Sequence, residues 1–218
     1  MVRIVCLLIG YVFGLFQTAY FYGKMKGIDI RQHGSGNAGT TNTLRVLGTK
    51  AGLIVLLGDI LKTILAVVIV TLIFGKSHPE TIYLLKLYAG MGAILGHNFP
   101  FYMNFKGGKG IAATAGLVLS FHPYFIVVGL ILFFGAFFTT HYVSLGSLLV
   151  YAGLMIQMVI CGQMGLFEGM TQANLIEMYI VMAFLTVMAY YKHRENIKRL
   201  IKGEERKTYL KKKKEATE

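Results

Sequence analysis

Ile111–Phe138 reads IAATAGLVLSFHPYFIVVGLILFFGAFF, an apolar run with His122-Pro123 near its middle. As one helix it would be about 42 Å long at about 1.5 Å per residue, too long for a bilayer core of about 30 Å. His122-Pro123 is a turn signal. Whether the run crosses once or twice decides which loops share a side. The loop from Lys24 to Lys50 carries Lys24, Lys26, Arg31, Arg45 and Lys50 against Asp29, and the tail after Tyr191 is also strongly basic. The loop around Glu168 has neither Lys nor Arg. With one crossing, the tail and the first basic loop fall on opposite sides. With two, both are cytoplasmic, together with the Lys106–Lys109 loop. The preference for cations on the cytoplasmic side therefore selects two crossings.

The other spans read directly as Ile4–Tyr22, Ala51–Phe74, Ile82–Leu95, Val143–Cys161 and Leu175–Tyr191. The expected fold is all-α: a polytopic transmembrane bundle of seven spans, N-terminus out and C-terminus cytoplasmic. The fourth span, roughly Gly110–Phe121, is too short to cross unaided and reads as a half-helix, with the fifth starting near Pro123. Residues 1–207 form one transmembrane domain with three cytoplasmic motif regions, and 208–218 a basic cytoplasmic tail. Ile197, Leu200 and Ile201 at i, i+3, i+4 predict a short interfacial helix. Lys211–Lys214 reads as a solvated run drawn to anionic lipid.

Composition agrees. The chain is 55% hydrophobic with mean hydropathy +0.60, and its 15% of charged residues fall between apolar runs. The net charge of +12 does not point to nucleic acid, because most of the cations flank apolar spans. Cys6 and Cys161 lie in apolar segments without CxxC or Cys/His spacing, so neither a disulfide framework nor a zinc site is expected. No small-residue cleavage site follows the first run, which reads as a retained span.

Three polar motifs interrupt this pattern. The first is Gly34-Ser35-Gly36-Asn37-Ala38-Gly39-Thr40-Thr41-Asn42, followed by Arg45. Its spelling fits both a dinucleotide fingerprint, with Asp59 downstream, and the start of a Walker A loop. The flanks are transmembrane runs rather than a βαβ unit, and Thr40 stands where the Walker lysine belongs, so both fail. What remains is flexible backbone, hydroxyl and amide donors, and an arginine able to fork onto phosphate. The plain alternative is a flexible inter-helix loop. The second motif runs from Gly96-His97-Asn98-Phe99-Pro100 to Lys106-Gly107-Gly108-Lys109-Gly110. Backbone N–H groups of Gly36, Gly107 and Gly108 are expected to complete a phosphate cradle, and Lys109 to sit at a helix N-terminus, where anions are favoured. His97 reads as a satisfied structural histidine or a ligand, and Lys106 as a snorkelling lysine or a phosphate contact. The third motif is His193-Arg194-Glu195-Asn196, with Arg199 and Glu205. His193 and Asn196 share a helix face. Arg194 and Arg199 read as headgroup anchors, and Glu205 as a local cap or partner. Asp59 and Lys62, also i, i+3, read as an intramembrane ion pair that shapes the bundle. No carboxylate cluster in the polar loops suggests a metal, and no loop cysteine suggests a thioacyl intermediate.

Together, in order and at suitable spacing, the three motifs resemble those of the bacterial acyl-phosphate:glycerol-3-phosphate acyltransferases over residues 1–207. Thr40 stands where Ala is common in that family, and the tail beyond Lys207 is longer and more basic. The resemblance implies an enzyme of the bacterial cytoplasmic (inner) membrane. It would move an acyl group from acyl phosphate to the sn-1 hydroxyl of glycerol 3-phosphate, giving lysophosphatidic acid and phosphate, the first step of phospholipid synthesis. It implies catalytic roles for Ser35, Lys109, His193 and Asn196. Substrate or phosphate contacts would fall to Gly36, Asn37, Thr41, Asn42, Arg45, His97, Lys106, Gly107, Gly108, Gly110 and Glu205. No cofactor or metal is implied. The partners are the two substrates and membrane lipid, with transient contact to an acyl-phosphate synthase left open. Whether His193 or a substrate phosphate is the base also stays open. The competing class is a phosphate or organophosphate transporter, which needs a polar path through the midplane.

Overall fold

The computed structural model describes residues 1–209, in which helices are joined by loops, with no strand among them. The Lys211–Lys214 run lies outside the described residues. In chain order the helices are α1 (Val2–Gly14), α2 (Thr18–Met25), α3 (Thr40–Leu47), α4 (Thr49–Phe74) and α5 (Ile82–Asn98). Then come α6 (Ile111–Phe121), α7 (Pro123–Thr140), α8 (Val143–Gln163), α9 (Gln172–Lys192) and α10 (Arg194–Ile201).

The run that opened the sequence is two helices. His122 leaves the helical backbone at φ −158°, its ring accepts from the Tyr124 N–H, and Pro123 starts α7. Proline suits a first helical position, where its missing N–H costs nothing. α1 with α2, and α4, α7, α8 and α9, are long and apolar enough to cross a membrane. α5, with 17 residues, and α6, with 11, are shorter. Outward-facing Leu57, Leu61, Leu72, Ile131, Phe138, Ile156, Ile180 and Val187 form an exposed apolar belt, which fits a lipid-facing surface. The core, by contrast, is centred on Leu84, Ile94, Phe125, Tyr151, Met178 and Leu185.

The first span departs from its expected continuity. α1 stops at Gly14 and α2 begins at Thr18. The cause is polar and lies partly in other helices. The buried Gln17 amide donates to Gly14 O (3.3 Å), Gly96 O (3.3 Å) and His97 O (2.9 Å). Lys62 Nζ, from α4, donates to Gly14 O (3.3 Å) and Phe16 O (2.7 Å). These donors satisfy carbonyls that a continuous helix would have served, so the break is stable inside the bundle.

α1 packs on α5 through small residues. Gly10 and Gly14 of α1 face Ala89, Gly92, Ala93 and Gly96 of α5, and a Cβ at Gly92 would overlap Leu7 O. Small residues four apart let helix backbones touch, a means of association that lipid does not oppose. A Gly92→Leu substitution forces the two backbones apart at an overpacking cost of about 1–3 kcal/mol or more. It should lower the thermal midpoint in detergent by roughly 5 °C. Gly135→Leu, at a position where a Cβ meets nothing within 4 Å, should not. Equal midpoints for the two variants would refute the close-packed seam.

Candidate active site

The first motif is a loop tied to its own helix. Asn42, at 1% exposure, accepts from the Ser35 N–H (2.8 Å) and donates to Ile30 O (3.1 Å) and His33 O (3.0 Å). Its amide is spent on holding the loop, which corrects its expected place as a phosphate donor. Ser35 and Gly36 are exposed on the rim, while Asn37 and Thr41 are half-buried. Asp29 is paired with Arg31 at 2.7 Å, and that partner holds its carboxyl at about 2. α3 starts at Thr40 with no side chain capping it, so its first N–H groups remain to be satisfied. Thr40 Oγ1 is buried without a hydrogen bond to any described residue.

The second motif folds back on the end of α5. Gly107 N–H donates to Asn98 O, and Gly108 N–H to His97 O, both at 3.1 Å; Gly36 N–H donates to His33 O at 3.0 Å. These three amides are therefore occupied, and the expected cradle of free glycine N–H groups is not what the glycines provide. At Gly108 the reason is steric, because a Cβ there would overlap His97 Nε2. Gly110 takes φ +82° as the residue before α6, a left-handed conformation that glycine adopts without strain. α6, like α3, begins without a side-chain cap. The free donors of the site are thus the opening turns of two helices, each carrying the positive end of its dipole.

Beneath this loop lies a buried ionic cluster. Lys62 Nζ meets Asp59 Oδ1 at 2.9 Å and His97 Nδ1 at 2.9 Å, and Thr18 Oγ1 donates to Asp59 Oδ1 at 3.0 Å. An ammonium can only donate, so His97 Nδ1 accepts and the ring of a neutral His97 carries its proton on Nε2. His97, at 2% exposure, is thus a satisfied histidine that also borders the site.

The third motif closes the circle. Lys109 Nζ donates to Asn196 Oδ1. Asn196 Nδ2 donates to Glu205 Oε1 (2.7 Å), as does Ser144 Oγ (3.0 Å), and Arg199 Nε donates to Glu205 Oε2 (2.8 Å). Both oxygens of Glu205 are taken, so it organises the site rather than meeting a phosphate. Arg199, expected at lipid headgroups, is Glu205's ion partner, whereas Arg194 is exposed over the Tyr191 ring. His193 Nδ1 lies 2.8 Å from Ala189 O. A carbonyl only accepts, so Nδ1 carries the proton and Nε2 is left as the ring's acceptor. Burial, and then the Lys109 charge, lower the His193 pKa to about 4. Burial, and then the Arg199 charge, lower Lys109 to about 8.

All three motifs line one cavity of about 1000 Å³. One end is polar, with Ser35, Thr41, Arg45, Lys109, His193 and Asn196. The other runs between Leu56, Ile60, Val118, Leu119, Ile126 and Phe133. Lys106 is exposed at the rim. Among the described residues, Arg45, Lys106, Lys109, Lys192 and Arg206 line the cavity without a carboxylate within 4 Å, whereas Arg31 and Arg199 are paired. The cavity therefore has an excess of uncompensated positive charge at its polar end. Sequence reasoning missed Ser144 and the Thr114–Tyr151 hydroxyl pair (2.5 Å). A polar residue inside an apolar span was the one available signal.

A family model described as "Glycerol-3-phosphate acyltransferase" matches residues 4–203. The chain is 42% identical over 208 residues to a glycerol-3-phosphate acyltransferase of Halalkalibacterium halodurans, covering 95% of each chain. It is 38% identical over 204 residues to that of Bacillus subtilis, covering 92% of this chain and 95% of the other. It also resembles the crystal structure of PlsY (YgiH), an integral membrane glycerol 3-phosphate acyltransferase, in its glycerol 3-phosphate form. There the TM-score is 0.78 at 31% identity, covering 95% of this chain and 96% of that one.

The lowered Lys109 pKa makes anion binding depend on pH. The cation is present below about 8 and is lost as pH rises through that value. Sulfate keeps a constant charge over this range, so its affinity in detergent should fall between about pH 7 and pH 9. Lys109→Arg, whose charge persists, should flatten that fall. A wild-type affinity constant across the range would remove Lys109 from the anion site.

Proposed function

The chain belongs to the glycerol-3-phosphate acyltransferase family, and from that premise we propose that it transfers an acyl group from acyl phosphate to the sn-1 hydroxyl of glycerol 3-phosphate. The products are lysophosphatidic acid and inorganic phosphate. The observation that carries this reading is that the three motifs share one cavity, cationic at one end and apolar at the other. A soluble anion and a lipid-tailed anion can meet there without either leaving its own phase.

The glycerol hydroxyl oxygen attacks the acyl carbonyl carbon. The bond from that carbon to the phosphate oxygen breaks, and phosphate leaves. Acyl phosphate is already activated, so holding the reactants together and neutralising phosphate charge supplies much of the acceleration. Lys109, Arg45 and the opening turns of α3 and α6 neutralise the phosphates. Ser35 and Thr41 add hydroxyl donors at the rim. His193 Nε2 accepts from the non-reacting sn-2 hydroxyl of glycerol 3-phosphate, and Asn196 fixes Lys109. A histidine held at about 4 is neutral at working pH but a weak proton acceptor. The proton therefore passes to a substrate phosphate oxygen, whose second pKa of about 6 makes it the better base.

The topology that fits is seven spans, with α1 and α2 together as the first and α4 to α9 as the rest. The N-terminus is out, and the site faces the cytoplasm across a bacterial inner membrane. Convergence of the three motifs on one cavity supports this arrangement, because they must then share a side. An acyl-phosphate synthase, if it docks, would meet the same cationic face. A transporter would need a polar path through the midplane, whereas Asp59, Lys62 and His97 are tied to one another and to the α1–α2 break, and Asp59 Oδ2 is left buried without a hydrogen bond to any described residue.

Purified protein in detergent should release phosphate from acyl phosphate only when glycerol 3-phosphate is present, with lysophosphatidic acid as the second product. Lys109→Ala should reduce kcat/KM by about 10²–10³-fold. His193→Gln should raise KM for glycerol 3-phosphate and leave the shape of the pH–rate profile unchanged. Loss of a limb of that profile would instead make His193 the base. Uptake of glycerol 3-phosphate into liposomes without acyl phosphate would overturn the acyltransferase reading.

A further inference from the structure

Arg45 lies in the last turn of α3, and the far end of the chain holds its guanidinium. Nη2 donates to Thr208 Oγ1 at 2.7 Å and to Arg206 O at 3.2 Å. Thr208 is fixed in turn: its N–H donates to His141 O (2.9 Å) at the corner between α7 and α8, and only 4% of it is exposed. After α10 the chain thus runs alongside the cavity, where Glu205 and Arg206 line the wall, and docks on the opposite corner. Residues 204–209 have no helix of their own. What holds them is Glu205 at one end, and at the other Thr208 with Tyr209, whose ring lies 4.9 Å from that of His141.

Both oxygens that hold Arg45 are neutral. A carboxylate in their place would fix the side chain equally well but would cancel its charge, as Asp29 does for Arg31 and Glu205 for Arg199. A hydroxyl and a carbonyl orient the guanidinium and leave its charge free for an anion. They occupy the two N–H bonds of Nη2, which both of the usual guanidinium forks use. The bidentate grip expected of Arg45 is therefore closed while this contact holds. Nε and Nη1, with the other three N–H bonds, make no hydrogen bond to any described residue.

Resting on the reading that the cavity binds phosphate-bearing substrates, we propose that Thr208 is a positioning residue for phosphate binding and acts through Arg45. It lies beyond residues 4–203, the part of the chain that the family model matches. Its hydroxyl aims Nε and Nη1 of Arg45 at the phosphate, and its fixed backbone anchors that aim to the α7–α8 corner.

Thr208→Val and Thr208→Ser separate this role from packing. Valine keeps the shape and loses the acceptor; serine keeps the acceptor and loses a methyl group. The full chain in detergent is measured for KM of each substrate, for kcat and for equilibrium binding of inorganic phosphate. Valine should weaken phosphate binding and raise KM for the substrate that Arg45 meets by about tenfold, the loss expected for one hydrogen bond to a charged group. Its kcat should stay within about twofold, and serine should restore wild-type values. The reverse order, valine like wild type and serine weakened, would mean that the methyl group packs and would overturn the proposal. So would equal phosphate binding in all three proteins.

If valine lowers the folded yield, the Arg45→Lys background decides. There Thr208→Val should cost nothing more if the hydroxyl acts through Arg45, and an undiminished loss would refute it. If the wild type binds phosphate but transfers no acyl group, the catalytic reading fails. The valine–serine contrast in phosphate binding still judges Thr208.

Discussion

The Lys62 ammonium sits where four parts of the molecule meet. It bonds to Asp59 on its own helix, to the His97 ring at the end of α5, and to the carbonyls of Gly14 and Phe16 at the break between α1 and α2. A buried charge left unpaired costs several kcal/mol, so each partner is required and each is placed by the need. The same contact sets the His97 tautomer and holds its ring beneath Gly108. His97 O, meanwhile, accepts from both Gln17 and the Gly108 N–H. Through these bonds a charge inside the bundle fixes the loop that carries Lys109. What an isolated reading of Asp59 and Lys62 treats as one ion pair is the base on which the second motif stands.

The site above follows a different electrostatic rule. Cations with structural work are matched by carboxylates: Arg31 by Asp29, Arg199 by Glu205, Lys62 by Asp59. Lys109 and Arg45 are held by an amide oxygen, a hydroxyl and a carbonyl. Neutral acceptors give direction without neutralising, so the positive potential of the cavity stays available. The price of that arrangement is visible at Lys109, where burial and neighbouring cations pull the pKa to about 8. A bound phosphate offsets both effects, because it supplies the missing counter-charge.

The fold was legible where the chain punctuates itself. His122-Pro123 marks a helix boundary from local chemistry alone. The break at Leu15–Gln17 was not legible, because the donors that stabilise it include Lys62, in another helix. Candidate residues were legible as types: Arg45, Lys109, His193 and Asn196 all line the cavity. Their division of labour was not. Asn42 and Glu205 have the chemistry of ligands, yet their polar atoms are used up by neighbours that only the fold brings close. The glycine N–H groups failed as a cradle for the same reason. A glycine run shows that backbone can approach something, not whether that something is a phosphate or, as at Gly108, the ring of His97.

The arrangement of helix ends completes the electrostatics. α3 and α6 both open into the cavity without a side-chain cap. Gly39 and Gly110 stand at those positions. A Ser, Thr, Asp or Asn would add about a few tenths of a kcal/mol over glycine, and at Gly110, with φ +82°, it would be strained. Leaving two helices uncapped beside several unpaired cations lowers the stability of the empty protein. The same groups recover that free energy when anions arrive, because the orphan N–H groups and the dipoles then find their partners. Binding strength at such a site comes from groups that the fold leaves unsatisfied. Two such helix ends, with Lys109 just before one and Arg45 in the other's last turn, suit the proposed reaction, in which both substrates carry phosphate.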